Sequence, residues 1–218
     1  YKRQEFSMSF DVYFPVGYRH SVGVHWHSLL GSVTGTFDGN VGRNYSQNPD
    51  MLHKQLSAGI DISSGYQDSY EGRLTTSHQC DYPGALSLYQ YTNTTSWNRW
   101  YFNPSDPTSP LLNTQALSAT PNQIQTVAEG EWQTIKIYVK ANTDGGASTT
   151  SDGIMRAWYN GNLMIDVTDV TWITPQGFTN GCYWNWCQFH KWFGAQEAWA
   201  TTRDQSVYYD NFILEDLT

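Results

Sequence analysis

The chain has few charged residues, no excess of positive charge and no long apolar run. Charged residues make up 15% of its 218 residues, and the formal net charge is −8. Nucleic-acid binding requires a basic surface, so we expect no nucleic-acid partner. A membrane span needs about 18 consecutive apolar residues. No run in the sequence approaches that length, so we expect no membrane partner.

Cysteine is scarce as well, with Cys80, Cys182 and Cys187 the three present. Cys182 and Cys187 enclose the letters YWNW and could close a small disulfide loop in an oxidising compartment. Two N-glycosylation acceptor patterns begin at Asn44 and Asn93. These patterns, with the many serines, threonines and asparagines, favour secretion, and a start without a signal peptide is expected of a mature or trimmed form. We therefore expect an extracellular protein.

Most familiar catalytic patterns are absent too. The sequence has no glycine-rich phosphate loop, no zinc-protease helix motif, no paired-cysteine zinc site and no nucleophile elbow. A glycoside hydrolase needs two carboxylates across its cleft. The Glu-x-Asp-x-x-Glu pattern that jelly-roll hydrolases carry on one strand does not occur, and Asp61 stands alone on its predicted strand. Hydrolysis through paired carboxylates is therefore disfavoured but stays an alternative.

What the chain has in abundance is aromatic residues and alternating patterns. Aromatic residues reach 16%, with 10 Trp and 15 Tyr, which favours some exposed rings that act as platforms for sugars. Many short segments alternate apolar and polar residues, as half-buried strands do, and none sustains a helical period. We predict an all-β fold, a β-sandwich or jelly roll of two antiparallel sheets with a concave face, as a single domain over residues 1–218.

The predicted strands are separated by segments rich in turn-forming residues. Residues 31–50 are predicted to form a long loop, residues 93–130 are predicted to form long connections, and Asn160-Gly161 is predicted to form a two-residue hairpin turn. The predicted strand segments are, in chain order, FSMSFDVYF, SVGVHWHSLL, KQLSAGIDI, GALSLYQYT, EWQTIKIYVKAN, GIMRAWYNGNLMIDVTD, NGCYWNWCQFHKWFG and QSVYYDNFILEDL.

The stretch VGVHWHSLLG is unusual among these strands. Its valines and its tryptophan would lie on one face, and His25 and His27 together on the other. A single histidine on a strand is most often a solvated polar residue, whereas two on one face are more indicative of a site. A metal site that also takes His53 or His78 is the alternative use of this pair.

The residues predicted on outward strand faces are mainly histidine, tyrosine, glutamine and serine. This set suits β-elimination of a uronate polysaccharide, in which the C5 carboxylate must be neutralised before the C5 proton can leave. A base then removes that proton and an acid protonates the C4 oxygen, and tyrosine or a His–Tyr pair can fill both roles. The reaction requires no cofactor, and the sequence leaves a structural divalent cation open.

Several phrases of the chain resemble the jelly-roll polysaccharide lyases, most closely the family 14 alginate and glucuronate lyases. SLYQY resembles the family phrase ELYAY, and FPVGYRHSVGVHWHSLL resembles FPEGFDWVKGGKLPGL. GEWQTIKIYVKAN, DGIMRAWYNGNLMID and FHKWFGAQEAWATTRDQSVYYDNFIL resemble GKWQTVTQRVRLN, NGVLEVWVDGVLVLD and FSTFFGGSDSWATPKDQYAYFDNFRL. HWH is also similar to the Gln-Trp-His strand of glucuronan-lyase-like and heparin-lyase-like jelly rolls. The resemblance implies a concanavalin A-like β-jelly roll with a concave substrate groove.

The resemblance also implies the catalytic residues. The active-site Tyr-x-Tyr of the family falls on Tyr89 and Tyr91. The family lysine falls on His25, with His27 beside it. We therefore predict His25, His27, Tyr89 and Tyr91 as the catalytic set.

The predicted substrate-binding residues are less directly matched. The Ser-x-Arg strand of the family has no clear counterpart, since QLSAG offers Gln55 and Ser57, and Arg73 is displaced into a predicted loop. Trp26 and Lys191 are further candidates for contacts with the sugar chain.

These observations together predict a secreted, monomeric polysaccharide lyase. Its partner would be an acidic polysaccharide such as alginate or a glucuronan-like polymer, cleaved by β-elimination to leave an unsaturated uronate end. The alternatives are a carbohydrate-binding module or lectin of the same fold, which would bind without turnover, and a glycoside hydrolase. A chain of net charge −8 needs a locally neutral or positive cleft for a polyanion, because charges beyond about 8–10 Å are screened in physiological salt.

Overall fold

A computed structural model describes residues 5–18, 28–36, 55–63, 85–91, 97–112, 125–141, 151–172, 183–188 and 204–217. Within these ranges all the regular elements are strands. They are β1 (Glu5–Tyr13), β2 (Ser28–Thr36), β3 (Gln55–Ser63), β4 (Ala85–Tyr91), β5 (Trp97–Tyr101), β6 (Leu111–Leu112), β7 (Trp132–Lys140), β8 (Gly153–Tyr159), β9 (Asn162–Val170), β10 (Tyr183–Gln188) and β11 (Tyr208–Asp216).

These strands form two antiparallel sheets. One sheet has five strands in the order β11-β1-β7-β8-β9, and the other has six in the order β10-β2-β3-β4-β5-β6. Each neighbouring pair runs antiparallel. The sequence prediction of an all-β antiparallel fold is confirmed.

One cluster of buried side chains takes residues from both sheets. Phe10 of β1 and Ile137 of β7 belong to it on one side, and Leu86 and Leu88 of β4 belong to it on the other. Burying a side chain of this size contributes about 1.5–3 kcal/mol, so this shared core is the main force that holds the sheets together. The predicted apolar row of the first strand is confirmed, because its members are all buried: Phe6, Met8, Phe10, Val12 and Phe14.

The predicted hairpin turn is confirmed between β8 and β9. Asn160 and Gly161 have φ values of 49° and 78°. Two consecutive residues with positive φ are what a type I′ turn requires, and asparagine followed by glycine is the pair that adopts this geometry most easily. The Asn160 side chain also accepts a hydrogen bond from the Thr134 backbone N–H at 2.8 Å, which ties the turn to the neighbouring strand β7.

A buried glutamine fixes the entry to β7. Gln133 is 1% exposed. Its Oε1 accepts from the Ala128 N–H at 2.9 Å and from the Tyr159 hydroxyl at 2.7 Å. Its Nε2 donates to the Ala128 carbonyl at 2.8 Å and, at 3.3 Å, to the Glu131 carbonyl. All the hydrogen-bonding capacity of this amide is therefore used, as a buried polar group requires.

The predicted loop over residues 31–50 is wrong at its start. The strand β2 continues through Gly31 to Thr36 before the described residues end. Glycines at 31 and 35 suggested a loop, but this segment pairs with β10 on one side and β3 on the other, and Val33 with the threonines favours strand geometry. Pairing on both edges outweighs the weak strand preference of two glycines. Residues 22–27 of the predicted histidine strand lie outside the described residues.

The predicted connection over residues 93–130 is wrong for two segments. Trp97–Tyr101 forms β5, and Leu111–Leu112 forms β6. The prolines that suggested an irregular connection follow β5, at 104, 107 and 110, and do not interrupt it. Three of the five residues of β5 are aromatic, which is typical of a strand.

Candidate functional site

The candidate site is the face of the six-stranded sheet that lies opposite the shared core. Leu86 and Leu88 of β4 are buried in that core. Successive residues of a strand alternate between the two faces, so Tyr89 and Tyr91 lie on the opposite face. Ser87, which shares this second face, is also fully buried, so the face is covered at that end.

Register aligns two rows of residues across this face. The Tyr89 row crosses five strands through Gln188, Ser32, Gly59, Tyr89 and Arg99. Directly opposed residues in neighbouring antiparallel strands have Cβ atoms about 5 Å apart. One bound sugar chain could therefore meet several members of this row.

The second row of opposed residues lies two positions away from the Tyr89 row on each strand. The Tyr91 row runs through Trp186, Thr34, Ser57, Tyr91 and Trp97. It therefore has a tryptophan at each end and hydroxyl-bearing residues between them. Aromatic rings beside hydroxyl groups are a composition suited to binding sugars.

The register brings four of the predicted site residues onto two adjacent strands. Ser57 of β3 lies directly opposite Tyr91 of β4. Gln55 lies two residues before Ser57 on the same face, and Tyr89 lies two residues before Tyr91. The predicted roles of these four residues stay predictions. The other predicted site residues lie outside the described residues: His25, Trp26, His27, Arg73 and Lys191.

Sequence reasoning missed the contribution of β5 to this face. Trp97 and Arg99 lie opposite Tyr91 and Tyr89. The three aromatic residues of WNRWY could have indicated the strand, since aromatic residues are enriched in strands. Trp186 and Gln188 were within a predicted strand, but only the register brings them into these rows.

The charge of the chain is unevenly divided between the sheets. The strands of the six-stranded sheet contain one basic residue, Arg99, and one acidic residue, Asp61. The strands of the five-stranded sheet contain seven acidic and three basic residues. Within the described strands, the excess of acid therefore lies on the sheet that does not carry Tyr89 and Tyr91.

The three basic residues of the five-stranded sheet are each paired with an acid. Lys136 lies 3.1 Å from Glu215, and Lys140 lies 3.1 Å from Glu5. On the same sheet, the Nε of Arg156 donates to Asp166 at 2.7 Å. These cations are engaged locally, so they do not offer free positive charge to a polyanion.

The described tyrosines with a raised pKa lie elsewhere. Burial raises the pKa of Tyr18 and the pKa of Tyr209 above the ordinary value for tyrosine. The electrostatic interaction with Tyr18 raises the pKa of Tyr209 further. Burial also raises the pKa of Tyr159, whose hydroxyl donates to Gln133. These phenols stay protonated at neutral pH, and their surroundings indicate a role in packing.

The described residues contain no group of three or more histidine, cysteine, aspartate or glutamate side chains that could hold a metal ion. The histidines of the alternative metal site, and Cys182 of the predicted disulfide, lie outside the described ranges. In the part of the chain that the structure describes, no helix is long and apolar enough to span a membrane.

Solved structures with the same fold are polysaccharide lyases. The alginate lyase Aly36B, as a mutant in complex with an alginate trisaccharide, matches with a TM-score of 0.62 and 17% identity over 100% of this chain and 73% of that chain. The marine PL-14 alginate lyase from Aplysia kurodai matches with a TM-score of 0.57 and 17% identity, over 99% and 70%. The endo-β-1,4-glucuronan lyase from Trichoderma reesei matches with a TM-score of 0.51 and 11% identity, over 98% and 69%.

At these identities the likeness shows the fold, and the family rests on the sequence itself. No curated protein matches the chain in a sequence comparison. Residues 81–212, more than half of the chain, match the family model described as Polysaccharide lyase 14. The chain belongs to polysaccharide lyase family 14. The predicted family resemblance, the jelly-roll class and the assignment as a polysaccharide lyase are confirmed.

Proposed function

We propose that this polysaccharide lyase cleaves a uronic-acid polymer by β-elimination on the face that carries the Tyr89 and Tyr91 rows. The observation that carries this proposal is the register of β3, β4 and β5. It gathers two tyrosines, a serine and an arginine at adjoining positions. Tyr89, Tyr91 and Arg99 also lie within the segment that matches the family.

The chemistry assigns distinct tasks to these residue types. Neutralising the C5 carboxylate makes the C5 proton more acidic. One tyrosine then removes that proton, and a tyrosine hydroxyl protonates the oxygen that leaves C4. A phenol has an ordinary pKa of about 10, so a positive charge nearby favours the phenolate that acts as the base. Ser57 and Gln55 would hydrogen-bond the sugar or its carboxylate.

The polymer we propose is alginate or a glucuronan-like chain. Proteins that share the fold are alginate lyases and a glucuronan lyase, which act on polyuronates. The charge distribution supports a polyanionic substrate despite the net charge of −8, because the six strands of this sheet carry one acid and one base. Screening in physiological salt limits repulsion from acids more than about 8–10 Å away.

Further parts of the proposal extend to residues outside the described ranges. His25 and His27 would assist neutralisation or proton transfer, and Trp26, Arg73 and Lys191 would contact the sugar chain. We also propose that the protein is secreted, acts as a monomer and a single domain, and needs no cofactor for the reaction.

Incubation with alginate and with polyglucuronate tests this function. We expect a rise in the ultraviolet absorbance of an unsaturated uronate on at least one polymer, because elimination leaves a double bond conjugated with the carboxylate. The carboxyl-reduced form of the same polymer is the matched control and should give no rise. Binding without any rise would favour a carbohydrate-binding module, and new reducing ends without the chromophore would favour a hydrolase.

A further inference from the structure

Arg99 occupies a singular position on the candidate face. It is the one basic residue in the described strands of the six-stranded sheet, and register places it directly opposite Tyr89. The neighbour of Tyr89 on the other side is Gly59, which has no side chain. Among the described residues, the positive charge beside Tyr89 in this row can therefore come only from β5.

The acidic residue in the described strands of this sheet, Asp61, does not lie in the Tyr89 row. Asp61 lies two residues beyond Gly59 on β3, and β3 is separated from β5 by β4. Strand spacing and rise per residue place the two backbone positions about 12 Å apart. Arg99 is therefore the charged residue of the Tyr89 row as the described strands define it.

β-Elimination requires such a charge at one defined place. The base that takes the C5 proton and the group that neutralises the C5 carboxylate must act on adjacent atoms of one sugar ring. A guanidinium is permanently charged and can bind a carboxylate through two parallel hydrogen bonds. Opposed positions on neighbouring strands, with Cβ atoms about 5 Å apart, suit two groups that share one ring.

We propose that Arg99 binds the carboxylate of the uronate whose C5 proton is removed, and so selects uronic acids over neutral sugars. This inference rests on the proposed function. In the step itself, the base takes the C5 proton and the electrons of the C–H bond form the double bond between C4 and C5. The C4–O bond breaks and the leaving oxygen receives a proton. Arg99 keeps its charge and exchanges no atom.

Three variants test this role on the preferred polymer. We expect Arg99→Gln to lower kcat/KM by about 10²–10³-fold, the range found when one preorganised donor to a developing charge is removed. Arg99→Lys keeps the charge without the paired hydrogen bonds and should fall between Arg99→Gln and the wild type. Lys136→Gln is the matched control, because it removes a positive charge from an exposed ion pair on the other sheet, and it should leave kcat/KM unchanged.

Binding of the end-product oligouronate and of its carboxyl-reduced counterpart separates a charge role from a structural one. By calorimetry, the wild type should prefer the acid form, and Arg99→Gln should bring the ratio of the two affinities close to one. An unchanged ratio, or wild-type kcat/KM in Arg99→Gln, would overturn the role of Arg99 while the wild type still makes unsaturated product. Absence of that product from the wild type would instead overturn the proposed function.

Discussion

Replacing Tyr89 by phenylalanine is expected to lower kcat by about 10²–10⁴-fold, the contribution of a positioned acid or base. The substitution removes a hydroxyl and keeps the ring. Tyr89 lies between Gly59 and Arg99 in its row, and we expect it to be the residue that exchanges the C5 proton. Initial rates of formation of the unsaturated product, at saturating polymer, measure the effect.

Two further tyrosine substitutions make the Tyr89 result interpretable. Tyr208→Phe removes a hydroxyl from a side chain that is 52% exposed on the five-stranded sheet, so kcat should stay at the wild-type value. Tyr91→Phe should also reduce kcat, and the double variant should lose much less than the product of the two single losses, because residues that act in one step are not additive. Wild-type kcat in Tyr89→Phe would contradict a catalytic role for this residue.

Replacing Gln133 by leucine is expected to lower the free energy of unfolding by about 3 kcal/mol. Leucine is similar in size, but it leaves the Tyr159 hydroxyl and the backbone polar groups of Ala128 without the partners that Gln133 supplies. Each buried polar group left unpaired costs about 1–3 kcal/mol, and the half-exposed Ala128 can regain part of this from water. Unfolding in urea, followed by tryptophan fluorescence, measures the change.

Tyr159→Phe separates the contribution of the Tyr159 hydroxyl from that of the Ala128 backbone groups, both of which hydrogen-bond to Gln133. It removes a single hydrogen bond to Gln133 and should cost about 1 kcal/mol. Adding Tyr159→Phe to Gln133→Leu should recover stability, because the buried hydroxyl that lost its partner is then absent. Stability of Gln133→Leu within about 0.5 kcal/mol of the wild type, the range of ordinary surface changes, would show that this amide does not hold the entry to β7.

The strands with strict alternation were predictable because burial of one face determines their pattern. β1 and β7 place every second residue in the core, and the apolar rows read from the sequence are the rows found buried. The turn at Asn160-Gly161 was predictable for a local reason, since this residue pair adopts positive φ at little cost. In both cases a few neighbouring residues contain the whole signal.

β2 and β5 were not predictable in the same way. The glycines of β2 weaken its local preference, and its strand structure depends on partners that are distant in sequence, β3 and β10. β5 is five residues long, has no strict alternation and lies just before a proline-rich segment, so it was read as part of a connection. Non-local pairing decides both strands, and a local pattern contains little of it.

The site was predictable in part for the same reason. Tyr89 and Tyr91 could be singled out because they share one strand and one face. Their neighbours across the sheet depend on register, and a shift of one residue would move every partner to the other face. Arg99 opposite Tyr89 and Ser57 opposite Tyr91 are consequences of that register, so they emerge only from the assembled sheet.

The central claim is that this chain breaks a polyuronate by elimination and not by hydrolysis. Mass spectrometry of the oligosaccharides formed in water enriched in the heavy oxygen isotope tests it most directly. The account predicts fragments that carry an unsaturated uronate end and no heavy oxygen at the cleaved bond, because no water is added to it. Fragments that gain one heavy oxygen for each bond cleaved, or bound polymer that stays intact, would contradict it.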